Sequence, residues 1–210
     1  MTDRWSPHAQ AYRESDAHRQ GPDLDVLVAW AEGKSALDVA AGGGHLARGL
    51  REAGFDVVTV DPSPGMRADV IARAEDLPFA DESFDTVATR IAPHHFEDVG
   101  AAMRELARVA RRLVLVADLR YRDEAGEEAE LLRDPTHVRS YSEDEWRALL
   151  EQAGLNVEAV ELFDVEIELE PWLARAGCEG EEAAQVRELL ADRIDGGRLD
   201  VPRIVLRGRK

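Results

Sequence analysis

Cysteine occurs once in the 210 residues, as Cys178. A lone thiol excludes an intrachain disulfide and any zinc site built from clustered cysteines, and it is read as unreactive. No apolar run approaches the roughly 20 residues that span a bilayer. The opening MTDRWSPHAQ has no basic stretch followed by a greasy one, so no secretory signal is expected and the chain is placed in the cytoplasm. Positive charge is scarce: 26 lysines and arginines against 43 aspartates and glutamates leave a net charge of −17. That balance repels phosphate backbones and makes nucleic acid a poor substrate. The surplus acids, as in DEAGEEAE (123–130) and EGEEAAQ (179–185), read as solvated helix faces. Internal repeats and low-complexity linkers are also missing. What is present, 44% hydrophobic and 33% charged, is a soluble globular composition with room for one main fold.

Short apolar runs alternate with helical periodicity. SALDVA (35–40) suits a strand buried on both faces. In HLARGLREAGF, Leu46, Leu50 and Ala53 recur at helical spacing, and Gly54 sits where a helix terminus wants a positive φ. DVVTVD (56–61) is a second strand, and this strand, helix, strand order implies a parallel pair with a right-handed crossover. Further strands are predicted at DVIARA (69–74), at FDTVATR (84–90), at RLVLVAD (112–118), from Asn156 with a run-on past Asp164, and at PRIVLRG (202–208) as a closing edge. Helices are predicted over 98–110 and 142–155, the second opened by a Ser142/Glu145 capping box. A helical segment at 170–194 is too long for a simple connection and reads as an inserted cap. The sum is an α/β fold with a doubly wound, mostly parallel sheet.

In an open α/β sheet ligands bind at the carboxyl ends of the strands, where the first strand-to-helix turn meets the crevice. LDVAAGGGH (37–45) occupies that turn. Gly42 and Gly44 let backbone approach a ligand with no Cβ in the way, and the helix from His45 points free N–H groups at the same spot. Asp61 ends the second strand, where a carboxylate can accept from both hydroxyls of a ribose. Together these features indicate a nucleoside-containing cofactor without naming it, because GGGHLA also fits a dinucleotide fingerprint. Asp38 discriminates. Two residues before the turn it would repel a pyrophosphate and attract a cofactor carrying its own ammonium and sulfonium. S-adenosylmethionine has both cations and a ribose.

These residues resemble the class I S-adenosylmethionine-dependent methyltransferases, in the small-molecule group similar to ubiquinone and menaquinone biosynthesis enzymes. LDVAAGGGH resembles the first motif, VVTVDPSPGM the ribose motif, AEDLPFADESFD the adenine-side motif and RIAPHHFED the segment after the fourth strand. AYRESDAHRQGPDL and DPTHVRSYSEDEWRALLEQAGL look like flanking segments, so the resemblance covers nearly the whole chain in order. It implies a Rossmann-like seven-stranded sheet with an N-terminal lid and a helical insertion before the last strand. The chain then divides as lid 1–33, cofactor-binding core 34–162, helical cap 163–200 and edge strand 201–210 of a single domain.

Position by position, the resemblance implies Asp38, Ala40 and Gly42, with Gly44 in the same turn, around the methionine part. Asp61 and Pro62 would lie at the ribose, Met66 near the adenine, and Ala74 and Glu75 along the adenine edge. Arg90 would lie beside the cofactor, and Tyr12 and His18 would fold over it as the lid. The implied reaction moves the methyl of S-adenosylmethionine to an O, N or C nucleophile of a small molecule, leaving S-adenosylhomocysteine, with no metal, nucleic acid or membrane partner. Three features depart from the family: Arg73 stands where an aspartate commonly accepts from the adenine amino group, the second crossover after Met66 is shortened, and RVARRLVLV lacks the usual Pro-Gly-Gly turn.

His94 and His95 follow the fourth strand and are candidates for proton transfer, although methyl displacement rests chiefly on positioning and can dispense with a base. A metal site from His94, His95 and His137 has no acid at ligand spacing. His137, Arg139 and Tyr141 either border the acceptor or tie down their own loop. Trp146 reads as core, and Trp172 and Leu173 as pocket wall or ordinary packing. Two other readings stand beside methyl transfer: a nicotinamide-dependent oxidoreductase, and a cofactor-binding module without catalysis.

Overall fold

The computed structural model describes residues 5–6, 9–14 and 19–210, and within 9–14 the side chains of residues 9, 10 and 13. In chain order the elements are α1 (Ala9–Glu14), α2 (Pro22–Trp30), β1 (Ser35–Val39), α3 (His45–Glu52), β2 (Asp56–Val60), β3 (Phe84–Arg90), α4 (Val99–Val109) and β4 (Ala110–Leu119). There follow α5 (Glu124–Arg133), α6 (Glu143–Gln152), β5 (Asn156–Glu168), α7 (Leu169–Arg175), α8 (Gly180–Leu189), β6 (Ile194–Asp195) and β7 (Arg198–Arg209). The seven-stranded sheet has the order β2-β1-β3-β4-β7-β5, with β6 paired to β7. Pairs β1/β2, β1/β3 and β3/β4 are parallel, and β7 is antiparallel to β4, β5 and β6, so β7 alone runs against the others.

Side-chain alternation sends each central strand into two helix layers. Leu37 and Val39 of β1 and Val114 and Val116 of β4 pack with Met103, Leu106, Trp146 and Leu150 of α4 and α6. Ala36, Leu115 and Ala117 face the other way, onto Leu24, Leu27, Leu46 and Leu50 of α2 and α3. The capping box at Ser142 and Glu145 forms as the sequence predicts, and Trp146 behind it is fully buried. Where β5 and β7 extend past the main sheet, α5, α7 and α8 close a second core around Trp172, Leu173, Val186 and Leu199. No helix among the described residues is long and apolar enough to cross a membrane.

The strand predicted at 69–74 does not form. Only Val70 pairs, in one parallel bridge to Val60, and Arg73 turns back on Asp76. A single helical turn, Pro64–Met66, replaces the second crossover helix, so no layer covers a strand there and Ile71 stands 62% exposed. The segment is instead pinned by side chains, with Asp69 accepting from Thr59 N at 2.9 Å and Thr59 Oγ1 at 2.7 Å. The seventh strand is β6, two residues at the tip of the β7 hairpin. The predicted strand at 112–118 begins two residues earlier, at Ala110, because α4 runs into β4 without a turn. The run-on past Asp164 occurs, as β5 continues to Glu168. The run at 202–208, expected as the closing edge strand, instead lies within β7 between β4 and β5, so β5 forms that edge.

Entry into β1 is fixed by Asp85 of β3. Its carboxylate accepts from Lys34 N at 2.9 Å, Ser35 N at 3.2 Å and Arg111 at 2.8 Å, and the Lys34 N–H heads the interactions that hold the group down to about 2. Asp85→Ala is expected to lose about 2–3 kcal/mol at pH 7, since charge-assisted bonds go and donors are stranded. The folded group titrates below its ordinary 3.8, so the wild-type advantage is complete above about pH 4 and fades as the pH falls toward 2. Urea unfolding of both proteins against pH checks this; a gap that stays constant down to pH 2 contradicts it.

Candidate functional site

The chain leaves β1 through Ala40 (φ 56), Gly42 (φ 51) and Gly44 (φ 73) before α3 begins. Left-handed backbone costs a residue with a Cβ about 1–2 kcal/mol, so Ala40 holds strain that the glycines avoid. A Cβ placed on Gly42 would meet nothing within 4 Å: it would project into an open cleft. Gly44 is the N-cap of α3 and does not line that cleft.

Two buried carboxylates pin this turn. Asp61, just past β2, accepts from Gly42 N and from Ser63 N, each at 2.9 Å. Asp38 lies on the same face of β1 as Ala36, toward α3, and accepts from Ala47 N at 2.9 Å, supplying the cap that Gly44 has no side chain to provide. Asp38 is 1% exposed. Burial pushes its carboxyl up to about 7, against the pull of the Ala47 N–H and Arg90.

The cleft measures about 490 Å³, within the usual range for small-molecule sites. Asp38, Ala40, Gly42, Asp61, Pro62, Met66, Ala74, Glu75, Arg90 and His95, all singled out in the sequence, line it together. Gly44 and His94 do not. The Tyr12 side chain and His18 lie outside the described residues. Sequence reasoning missed Trp5, Ile91, Thr136 and Val138, which also line the cleft. Trp5 meets the His95 ring edge-on at 4.7 Å. Its neighbour Ser6 accepts from Gly65 N at 2.7 Å, and Arg13 donates to Gly65 O at 2.8 Å, so the N-terminal segment docks on the loop that follows Asp61. Ile91, at φ 51, is a β-branched residue in the left-handed region, a genuine outlier of the kind that clusters at functional sites.

Negative charge dominates the lining, with Asp38, Asp61, Glu75 and Glu97 against Arg73 and Arg90. Both guanidiniums are engaged: Arg73 with Glu75 and Glu97, each at 3.1 Å, and Arg90 with Asp23 of α2 at 2.6 and 3.2 Å. Burial alone would raise Glu75, but the Arg73 bond, the Arg73 charge and backbone N–H donors together outweigh it and hold the carboxyl below its ordinary range. Glu105 and Arg108 of α4 position this side of the cleft, binding Leu77 N at 2.9 Å and the Leu77 and Phe79 carbonyls at 3.0 and 2.7 Å.

The two histidines separate. His95 lines the cleft with Nδ1 3.1 Å from the Thr136 carbonyl. A carbonyl can only accept, so Nδ1 carries the proton and Nε2 keeps a lone pair. Burial, followed by the neighbouring His94, pushes the ring down to about 3, which makes it a hydrogen-bond acceptor with little appetite for a full proton. His94, expected at the crevice, turns away into the interior, its Nδ1 2.5 Å from Asp118. Burial penalises either ion of this pair, pushing the ring down to about 3 and the carboxyl up to about 7. His137 is bound to Glu127 at 3.0 Å, and Arg139 pairs with Glu145 over the Tyr141 ring, so these groups tie down their own loop. Among the described residues no group of three or more His, Cys, Asp or Glu could hold a metal ion. Trp172 and Leu173 belong to the second core and do not line the main cleft.

Because Asp38 titrates in the folded state well above its ordinary 3.8, its ionisation opposes folding as the pH rises from 4 to 7, at about 1.4 kcal/mol for each pH step of one. Asp38→Asn keeps an acceptor for Ala47 N and removes the charge. The variant is expected to match or trail the wild type at pH 4 and to exceed its stability by a few kcal/mol at pH 8. Parallel stability curves from pH 4 to pH 8 would contradict the burial of an ionisable acid here.

Known proteins resemble this chain in sequence and fold. A sequence model of the methyltransferase domain matches residues 13–160. The chain is 31% identical over 207 residues to the uncharacterised methyltransferase YcgJ of Bacillus subtilis, covering 87% of this chain and 82% of that one. The YcgJ crystal structure superposes with a TM-score of 0.79 at 26% identity, over 90% of this chain and 97% of that one. A demethylmenaquinone methyltransferase of Beutenbergia cavernae is 38% identical over 98 residues, 42% of this chain and 40% of its own length. With the glycine turn, its two carboxylates and the sheet order in place, the chain belongs to the class I S-adenosylmethionine-dependent methyltransferases.

Proposed function

We propose that this protein transfers the methyl group of S-adenosylmethionine to an O, N or C nucleophile of a small molecule in the 490 Å³ cleft. The observation that carries the reading is the buried, poorly compensated acid Asp38 beside a turn left open at Gly42. Membership of the family implies use of S-adenosylmethionine, and the residues present fit it. A lining with four carboxylates and two engaged arginines favours a cation and disfavours the pyrophosphate of a nicotinamide dinucleotide.

Each residue has a task in this reading. Asp38 holds negative charge near the ammonium and sulfonium. Asp61 accepts from Gly42 N and Ser63 N, which fixes its carboxylate at the end of β2, where a ribose pressed against the turn would present its hydroxyls. Met66 and Ala74 offer apolar surface to the adenine, with Glu75 fixed at its edge by Arg73. When bound, the cofactor supplies an electrophilic methyl on sulfur. The protein's contribution is to bring the nucleophile in line and exclude water, with Trp5 closing the cleft and the His95 Nε2 lone pair orienting an O–H or N–H of the acceptor.

A cation arriving beside Asp38 lowers the pKa of that group, so binding below about pH 7 is coupled to proton release. Calorimetry at pH 6.5 in two buffers of different ionisation enthalpy is expected to show S-adenosylmethionine releasing up to roughly three-quarters of a proton, and neutral-sulfur S-adenosylhomocysteine releasing less. Asp38→Asn is expected to abolish the difference and to weaken S-adenosylmethionine binding at least tenfold, about 1.4 kcal/mol. Absence of binding by either compound at millimolar concentration would overturn the reading.

A further inference from the structure

Segment 134–139, DPTHVR, leaves α5 and lies against the short turn over Pro93–His95, and the two are stitched together from both directions. The His94 carbonyl accepts from Val138 N at 2.8 Å and from Arg139 N at 3.2 Å. In return, His95 Nδ1 lies 3.1 Å from the Thr136 carbonyl and 3.2 Å from Thr136 Oγ1. The His94 ring, 4.0 Å away, and the edge-on Trp5 ring, at 4.7 Å, flank the imidazole. Nε2 has no hydrogen-bond partner among the described residues and is not sealed from the surface, so it is the open nitrogen of a ring that lines the cleft.

The single proton of the Thr136 hydroxyl decides what that side chain shows the ring. Asp134 claims it: Oδ1 accepts from Thr136 Oγ1 at 2.5 Å and from Thr136 N at 2.9 Å. Asp134 is buried, and its Oδ2 faces Arg133 at 3.8 Å. Burial works against the charge on Asp134, but the Thr136 hydroxyl bond, the His95 ring, the Thr136 N–H and Arg133 outweigh it and hold the carboxyl below its ordinary range. With its proton committed to a carboxylate, Oγ1 can offer the ring only a lone pair, as the carbonyl does. Two acceptors therefore converge on Nδ1, and moving the proton to Nε2 would set the Nδ1 lone pair against both.

We propose that Asp134, acting through Thr136, is a positioning residue that fixes the His95 proton on Nδ1 and so keeps Nε2 an acceptor for the O–H or N–H of the methyl acceptor. The inference rests on the reading of the cleft as a methyl-transfer site. Asp134 does not itself line that cleft. Its part is to exclude the other tautomer, which would present an N–H where the nucleophile brings its own.

The test reads the ring nitrogens of His95 by ¹H–¹⁵N correlation NMR in ¹⁵N-histidine-labelled protein at pH 7, with His95→Gln identifying its signals and calorimetry of S-adenosylhomocysteine run on the same samples. The wild type is expected to carry the proton on Nδ1 in preference to Nε2 by roughly tenfold or more. Thr136→Val keeps the shape and the carbonyl but loses the hydroxyl acceptor, and Asp134→Ala frees the hydroxyl to donate to the ring. Each is expected to raise the minor tautomer at least about threefold, whereas Thr136→Ser, which restores the hydroxyl, is expected to keep the wild-type ratio. Thr136→Val is isosteric and decides the matter if Asp134→Ala does not fold. A wild-type ring protonated on Nε2, or a ratio unmoved in Thr136→Val, would overturn the proposal and leave Asp134 as the cap of its own loop. If the nucleoside binds and the ratio does not move, the positioning role alone falls. If the ratio moves and S-adenosylhomocysteine does not bind at millimolar concentration, Asp134 and Thr136 still set the ring and the methyl-transfer reading falls.

Discussion

The turn between β1 and α3 is held by side-chain carboxylates from outside itself, and the site depends on that arrangement. Gly42 gives its N–H to Asp61 and Ala47 gives its N–H to Asp38, so the glycine stretch needs no packing of its own to stay in place. A turn stabilised this way can leave its outer surface bare, which is what a ligand pressed against backbone requires. The cost is that two acids are buried close together, Asp61 adding to the burial that raises the pKa of Asp38. The site thus stores an electrostatic demand that a cation answers.

The same strand-end geometry distributes chemistry to both sides of the sheet. Alternation puts Asp38 toward α3 and Asp118 toward the loop after β3, where His94 meets it. The N-terminal segment reaches the cleft through Trp5, while α5, α7, α8 and the long β5–β7 arm build a second core. Segment 163–200 contributes no residue to the main cleft among those described; its reach is to a small adjoining cavity that Trp172 and Arg175 line.

Much of this was legible in the sequence because it is local. β3 falls at 84–90 as read, the α6 capping box forms between Ser142 and Glu145, and the turn, Asp61 and Glu75 converge on one cleft. Such features follow from strand period, capping chemistry and chain order. What escaped is set by tertiary context. The run at 69–74 has strand-like composition, but without a crossover helix nothing covers Ile71 and only one bridge, Val70 to Val60, ties it to the sheet. His94 and His95 are sequence neighbours, yet the short turn over Pro93–His95 sends one to Asp118 and the other to the cleft. Trp5 carries no periodic signal, since it acts from a segment that docks through Ser6 and Arg13 on Gly65.

On the proposed function, Asp38 and Asp61 grip a positively charged nucleoside across the side-chain-free turn. A crystal structure with bound S-adenosylhomocysteine tests this most directly. The ribose hydroxyls are expected on the Asp61 carboxylate and the amino acid end beside Asp38 and Gly42, with the Gly42 and Ala47 hydrogen bonds unchanged. A nucleoside bound elsewhere, or bound in the cleft with its ribose out of reach of Asp61, would contradict it.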